Sequence, residues 1–155
     1  MDREILFRGI SKETKAMVYG AHFTLHHDDQ RTHIHHFIIP ENTPIPKGKP
    51  IGDIQVEVDS ASVGQYAFLN DIDDKKIFTE DILQDKITDD LYVVDFIGGG
   101  FGLFTMKEYI DLKYRHAVIL WDGLSELQTS CFVMQNLRVI GNIHDTPNLA
   151  KEEAE

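Results

Sequence analysis

Five of the eight histidines in this chain fall between residues 26 and 36: His26, His27, His33, His35 and His36. Imidazole is the side chain that changes charge near neutral pH, and it is the commonest nitrogen ligand for zinc. What the cluster can do depends on strand register. Met17 to His27 reads as a strand, with Met17, Tyr19, Ala21, Phe23 and Leu25 on one face and Val18, Gly20, His22, Thr24 and His26 on the other. Thr32 to Ile39 reads as its partner across an Asp28–Arg31 turn. A four-residue turn sets His26 opposite His33, Thr24 opposite His35 and Leu25 opposite Ile34. That register gathers His22, His26, His33 and His35 on one polar face and leaves His27 and His36 on the apolar side. Two histidines at i and i+2, with a third across the ladder, are within reach of one zinc ion. A zinc site or a histidine-dependent enzyme on the His26/His33/His35 face follows as one expectation. No carboxylate or cysteine stands at a matching depth, and the plainer account is a solvated polar strand face. No residue is assigned as catalytic, cofactor-binding or metal-ligating, and no cofactor is expected.

Other motifs offer less. Gly98-Gly99-Gly100 lies between two apolar segments, and no lysine follows Gly102, so neither a P-loop nor a dinucleotide fingerprint is present. The triplet is expected to turn a hairpin. The single cysteine, Cys131, sits in the apolar context Ser130-Cys131-Phe132-Val133, where thiols are usually inert.

The elements that would position these groups are mostly strands, expected near 4–8, 17–27, 32–39, 53–58, 63–69, 77–83, 91–97 and 101–104, with further strands at 118–121 and 137–143. Four of the five prolines (Pro40, Pro44, Pro46 and Pro50) make residues 40–50 an extended, weakly ordered loop. Thr105-Met106-Lys107-Glu108 has the form of a capping box. Met106, Tyr109, Ile110, Lys113 and Ala117 follow at helical spacing, which predicts a helix near 106–117. Residues 146–155 read as an acidic, helical C-terminal tail. The fold class expected is mainly β, or α+β at most: short antiparallel strands in small coiled sheets, an SH3-like barrel being one arrangement, in a single domain over 1–155.

Net charge narrows the partners. The formal charge is −11, and residues 51–95 carry three basic against twelve acidic groups. No stretch supplies the basic patch that a nucleic-acid binder needs to displace counterions, so direct binding to DNA or RNA is not expected. The acidic middle is a solubilising surface, a docking face for a basic partner, or a mimic of nucleic acid. No window approaches eighteen apolar residues, so no membrane span is expected, and no secretion signal is visible. One cysteine cannot form an internal disulfide, which suits a cytoplasmic location.

Three stretches carry a resemblance. The first is Arg3-Glu4-Ile5-Leu6-Phe7-Arg8-Gly9 with Lys12-Glu13-Thr14 and Val18-Tyr19-Gly20. The second is Val63-Gly64-Gln65-Tyr66, running through Leu69, Asp71, Lys75 and Ile77-Phe78 to Asp81-Ile82. The third is Val139-Ile140-Gly141-Asn142-Ile143-His144 with Pro147-Asn148-Leu149. Together they resemble the YopX family of small phage and prophage proteins. Its pattern opens R-E-I-x-F-R, continues V-G-Q-Y-T-G-L-x-D-x-N-G-K-x-I-Y-E-G-D-I-V and closes V-I-G-N-I-Y-x-N-P-E-L. Ala67-Phe68 stands where the family has Thr-Gly, Asp73-Asp74 where it has Asn-Gly, and Thr79-Glu80 where it has Glu-Gly. The resemblance implies a phage or prophage origin, a cytoplasmic location and a strand-rich fold, and it transfers no catalytic residue. Within it, Gly64 and Gly141 are read as sites of special backbone angle, and Tyr66, Ile77, Phe78 and Ile82 as core.

The leading functional reading is therefore a phage or prophage accessory protein that acts through protein contacts and is not an enzyme. The alternatives are the zinc or histidine-dependent enzyme and the acidic mimic that occupies a basic protein. The partner is unnamed by the sequence, and a homo-oligomer stays open.

Overall fold

The computed structural model describes residues 4–26, 33–44, 47–48, 50–97, 100–115, 133 and 135–146. The chain is mainly β. In order it forms β1 (Phe7–Ile10), β2 (Met17–His26), β3 (Ile34–Pro40), β4 (Val56–Val58), β5 (Gly64–Asn70), β6 (Lys76–Phe78), β7 (Asp81–Asp85), β8 (Leu91–Ile97), β9 (Gly100–Thr105), the helix α1 (Met106–Arg115) and β10 (Leu137–Asn142). Short 3-10 turns occupy Ile51–Asp53 and Ser60–Ser62. The backbone divides into two compact units, residues 1–66 and 67–155. Among the described residues the strands form open sheets with no closed barrel. The strand expected at 118–121, Cys131 and the tail beyond Thr146 lie outside the described residues.

The first unit holds β1 to β4, antiparallel in the sheet order β4-β3-β2-β1. Its buried side chains include Leu6, Ile38 and Val58. Ser11 and Ser62 are buried with hydroxyls engaged. Ser62 Oγ accepts the Ile10 amide at 2.7 Å and donates to the Asp59 carbonyl, while Ser11 Oγ accepts the Thr14 amide. Gly20 lets β3 come close to β2: a Cβ there would stand 1.9 Å from the Ile39 carbonyl oxygen. The Glu41 amide, just past β3, donates to the Tyr19 carbonyl at 2.9 Å. Within the proline-rich loop, Pro40 closes β3, Pro50 caps the first 3-10 turn, and Lys47 and Gly48 form an exposed turn.

The second unit is built on the sheet β10-β7-β8-β9, whose neighbours are all antiparallel. Its central strands bury both faces, so their sequence reads as apolar runs rather than as alternation. One face packs Leu83, Val94, Leu137 and Val139 with Ala67, Ile77 and Val133. The other packs Ile82, Val93 and Phe104 against Met106 and Tyr109 of α1, with Ile110 alongside. The i, i+3, i+4 spacing of those three helix residues is what brings them onto one stripe. The capping box forms in both directions: the Thr105 amide and hydroxyl donate to Glu108 Oε2 at 2.9 Å, and the Glu108 amide donates to Thr105 Oγ1 at 3.3 Å.

Two expectations are corrected. The strand expected at 77–83 breaks at Thr79-Glu80 into β6 and β7, which belong to different sheets. Apolar residues on both sides of the break hid it, because a short apolar run carries no mark of where the chain turns. Gly64 and Gly141 are not among the described glycines with positive φ. Gly141 instead follows a register shift between β10 and β7, and its missing side chain makes room for Thr146, whose Oγ1 would lie 2.8 Å from a Cβ.

Candidate functional site

The β2–β3 ribbon positions most of the described histidines, and its register is one residue away from the expected one. His26 opposes Ile34, Leu25 opposes His35, Thr24 opposes His36, Phe23 opposes Phe37 and His22 opposes Ile38. Opposed residues share a face, so a slip of one residue regroups every side chain. His22, Thr24 and His26 share a face with His36, Ile34 and the fully buried Ile38. His35 lies on the other face with Phe23, Leu25 and Phe37. The proposed His26/His33/His35 grouping therefore does not form. The physical reason lies at the base of the ribbon. Val58 and Val56 of β4 oppose His36 and Ile38, and Gly9 packs against Val58, so the inner layer needs the Ile38 face of β3 and the Gly20 face of β2. The sequence alternation of β2 pointed the other way because its more apolar residues, Tyr19 and Leu25 among them, are exposed.

On the inner face, His22 Nε2 and His36 Nδ1 stand 2.9 Å apart. The ring centroids are 5.1 Å apart and the planes differ by 24°. Nitrogens this close, on rings whose centres are this far apart, meet edge to edge, as an N–H···N hydrogen bond between one donor and one acceptor. The Phe7 ring lies 5.2 Å from the His22 ring. Burial, and then the neighbouring His36, hold the His22 pKa below its ordinary value.

On the outer face, Glu57 Oε1 meets Lys12 Nζ at 2.6 Å and His35 Nδ1 at 2.8 Å. Hydrogen bonds from Lys12 and then His35 hold the Glu57 carboxyl below its ordinary value. The Phe23 and Phe37 rings stack at 5.5 Å beside this array. The ribbon also outruns its neighbours: β1 pairs with β2 over Met17–Gly20, and β4 with β3 over His36–Ile38. Beyond those ladders Leu25 is 48% exposed and Ile34 49% exposed, one on each face.

A second polar cluster, in the other unit, escaped the sequence reading. Glu80 Oε2 meets His144 Nε2 at 2.6 Å, and Glu80 Oε1 accepts the Tyr109 hydroxyl at 3.3 Å. Both members of the His–Glu pair are largely shielded from solvent. The Glu80 amide donates to the Val94 carbonyl, and the Glu80 carbonyl accepts the Ile143 amide at 3.1 Å. Residues separated by 64 positions meet only through the β7–β10 pairing, which no local pattern announces. The pair can exchange a proton, but the contacts described contain no nucleophile aligned with it. Among the described residues, no group of three or more His, Cys, Asp or Glu side chains converges as a metal site. No described helix is long and apolar enough to cross a membrane.

No curated protein matches the chain. Among solved structures it is similar to protein EF1440 from Enterococcus faecalis, at 21% identity over 96% of this chain and 99% of that one, with a TM-score of 0.53. At that identity the likeness concerns the fold alone. The family model described as YopX protein matches residues 6–151, nearly the whole length, and the chain belongs to the YopX family.

Proposed function

We propose that this chain is an accessory protein, phage- or prophage-encoded and cytoplasmic, that works by holding another protein on the projecting half of the β2–β3 ribbon. The observation that carries the reading is the exposure of Leu25 and Ile34 on opposite faces of a ribbon that extends beyond its neighbouring strands. Aliphatic side chains at the free end of a ribbon cost solvation without adding to the core, and they suit a partner that closes over both faces. The aromatic stack and the Lys12–Glu57–His35 array beside them supply the mixed apolar and polar surface typical of such contacts.

The test is site-specific photocrosslinking in the native host. A benzophenone side chain at position 25 or 34 is expected to give one discrete adduct, and Leu25→Glu combined with a crosslinker at 34 to lose it. Position 87 is the control, because Ile87 is 80% exposed and lies in the other unit. The same adduct pattern from positions 25, 34 and 87 would remove the ribbon from the reading. An adduct of twice the chain mass would make the contact one between copies.

A further inference from the structure

We propose that the His22–His36 pair is a proton-counted latch on the β2–β3 ribbon, closed while the two rings hold three or fewer ring protons between them and opened by the fourth. Two neutral imidazoles carry one N–H each, and an N–H···N bond needs one facing nitrogen protonated and the other bare. Nε2 of His22 and Nδ1 of His36 face one another at 2.9 Å, which satisfies that requirement. A third ring proton can enter on an outer nitrogen and leave the bond in place, now charge-assisted. The fourth must go to the bare facing nitrogen. Both facing atoms are then donors, both rings are cationic, and the contact becomes repulsive.

The location makes this more than a local titration. Beyond Gly20 and outside His36–Ile38, the ribbon depends on its own two strands, and an isolated two-stranded ribbon is marginal in water. The His22–His36 contact crosses the ribbon diagonally, next to the Phe23–Phe37 pair. The groups facing the latch are those that would not compensate the added charge. From β1 it meets Phe7, from β4 Val58 and Val56, and from its own strands Gly20, Thr24, Ile34, Ile38 and Pro40. The other titratable side chain on this face among the described residues of β1 to β4 is His26. Glu57, the carboxylate of β4, is on the opposite face and engaged by Lys12 and His35. The lowered pKa of His22 agrees with this arrangement.

The proposal is independent of whether the ribbon holds a partner, and its test needs none. Backbone amide exchange is measured by NMR at pH 7.5 and pH 5.0, corrected for the intrinsic rate. Amides of residues 23–26 and 34–37 are compared with those of β7 and β8. The ribbon amides are expected to lose several-fold more protection than the β7–β8 amides, because the opened ribbon takes up the proton that the closed contact excludes. His36→Gln keeps a side-chain acceptor and cannot be protonated in this range; it removes the second cation while His22 stays half-buried, and it is expected to reduce the excess loss. His22→Phe, an aromatic replacement beside Phe7, provides the same readout if the first variant does not fold. Equal losses in ribbon and β7–β8 amides would overturn the latch. So would an excess loss left unchanged in His36→Gln, which would place the effect outside the His22–His36 contact.

Discussion

Phe68, Asp74 and Glu80 hold φ values of 60°, 63° and 69°, in the left-handed region that favours glycine. They occupy the three positions at which the family pattern has glycine, so this chain keeps the backbone path without the residue that follows it most easily. The neighbours explain how. At Asp74, the amide donates to the Asp71 carbonyl at 3.0 Å, and the side chain accepts from the exposed Asn70 amide group. At Glu80, the backbone is held on both sides and the carboxylate engages His144 and Tyr109. Phe68 sets its ring edge-on to Phe101 at 5.9 Å. The sign of a return to glycine should therefore differ between sites. Asp74→Gly relieves left-handed strain and gives up one exposed hydrogen bond, so it is expected to stabilise by roughly 0.5–1 kcal/mol. Glu80→Gly relieves similar strain but strips the acceptor from a buried tyrosine hydroxyl and a shielded histidine, and is expected to destabilise by about 1–3 kcal/mol. Urea midpoints of the two variants check this, and a shared sign would show that strain or side-chain contacts alone govern both sites.

Turns decide what the elements of the second unit connect to, and carboxylates make most of those turns. Asp71 is buried, accepting the Asp73 and Lys75 amides on Oδ1 and the Val139 amide on Oδ2. One side chain thus closes the β5–β6 turn and ties it to β10. Asp85 does the same for the start of the β7–β8 turn, through the Ile87 and Thr88 amides. Asp71→Ala leaves the Val139 amide without that acceptor inside the protein, with an expected cost of about 1–3 kcal/mol for that group alone. Asp73→Ala removes an exposed, solvent-screened pair with Arg138, and it should cost far less than Asp71→Ala. Denaturation of both variants checks the contrast, and equal losses would contradict it. The polar turn at 70–75, the capping box of α1, and strands β2, β8 and β10 were all legible, because each is a local pattern of turn residues, alternation or a short apolar run. The Asp71–Val139 bond was not, since it joins residues 68 positions apart. The ribbon register was misjudged for a related reason. Turn length and hairpin alternation are local, but the face that turns inward is chosen by Val58 and Ile38 packing from other strands.

At the scale of the whole molecule, the charge of −11 looks different once contacts are known. Of the twelve carboxylates between residues 51 and 95, eleven (all but Asp53) accept an internal hydrogen bond or ion pair, from Glu57 through Asp95. Much of the acidic middle is thus turn-making chemistry, which weakens the idea of a phosphate-spaced mimic surface. Of the groups with shifted pKa values, His22 and Glu57 lie in the first unit, and Tyr92 and the exposed Asp73–Arg138 pair in the second. His22 has a folded value below its unfolded one near 6.5, so the unfolded chain takes up the proton first. Its contribution is complete above about pH 6.5 and is lost as pH falls towards the folded value. Glu57, also lowered, adds a loss that begins below its unfolded value of 4.5, softened by solvent. Tyr92 runs the other way. Burial first, then Asp90, Asp85 and Glu108, raise its pKa, so above about pH 10 the unfolded chain releases the proton first and stability falls with rising pH. Urea midpoints between pH 4.5 and 11 should therefore decline at both ends. His22→Phe should flatten the limb between pH 6.5 and 4.5 and leave the alkaline limb unchanged. Tyr92→Phe should flatten the limb above pH 10 and leave the acid limb unchanged. If either variant altered both limbs equally, His22 and Tyr92 would not be the groups that set them.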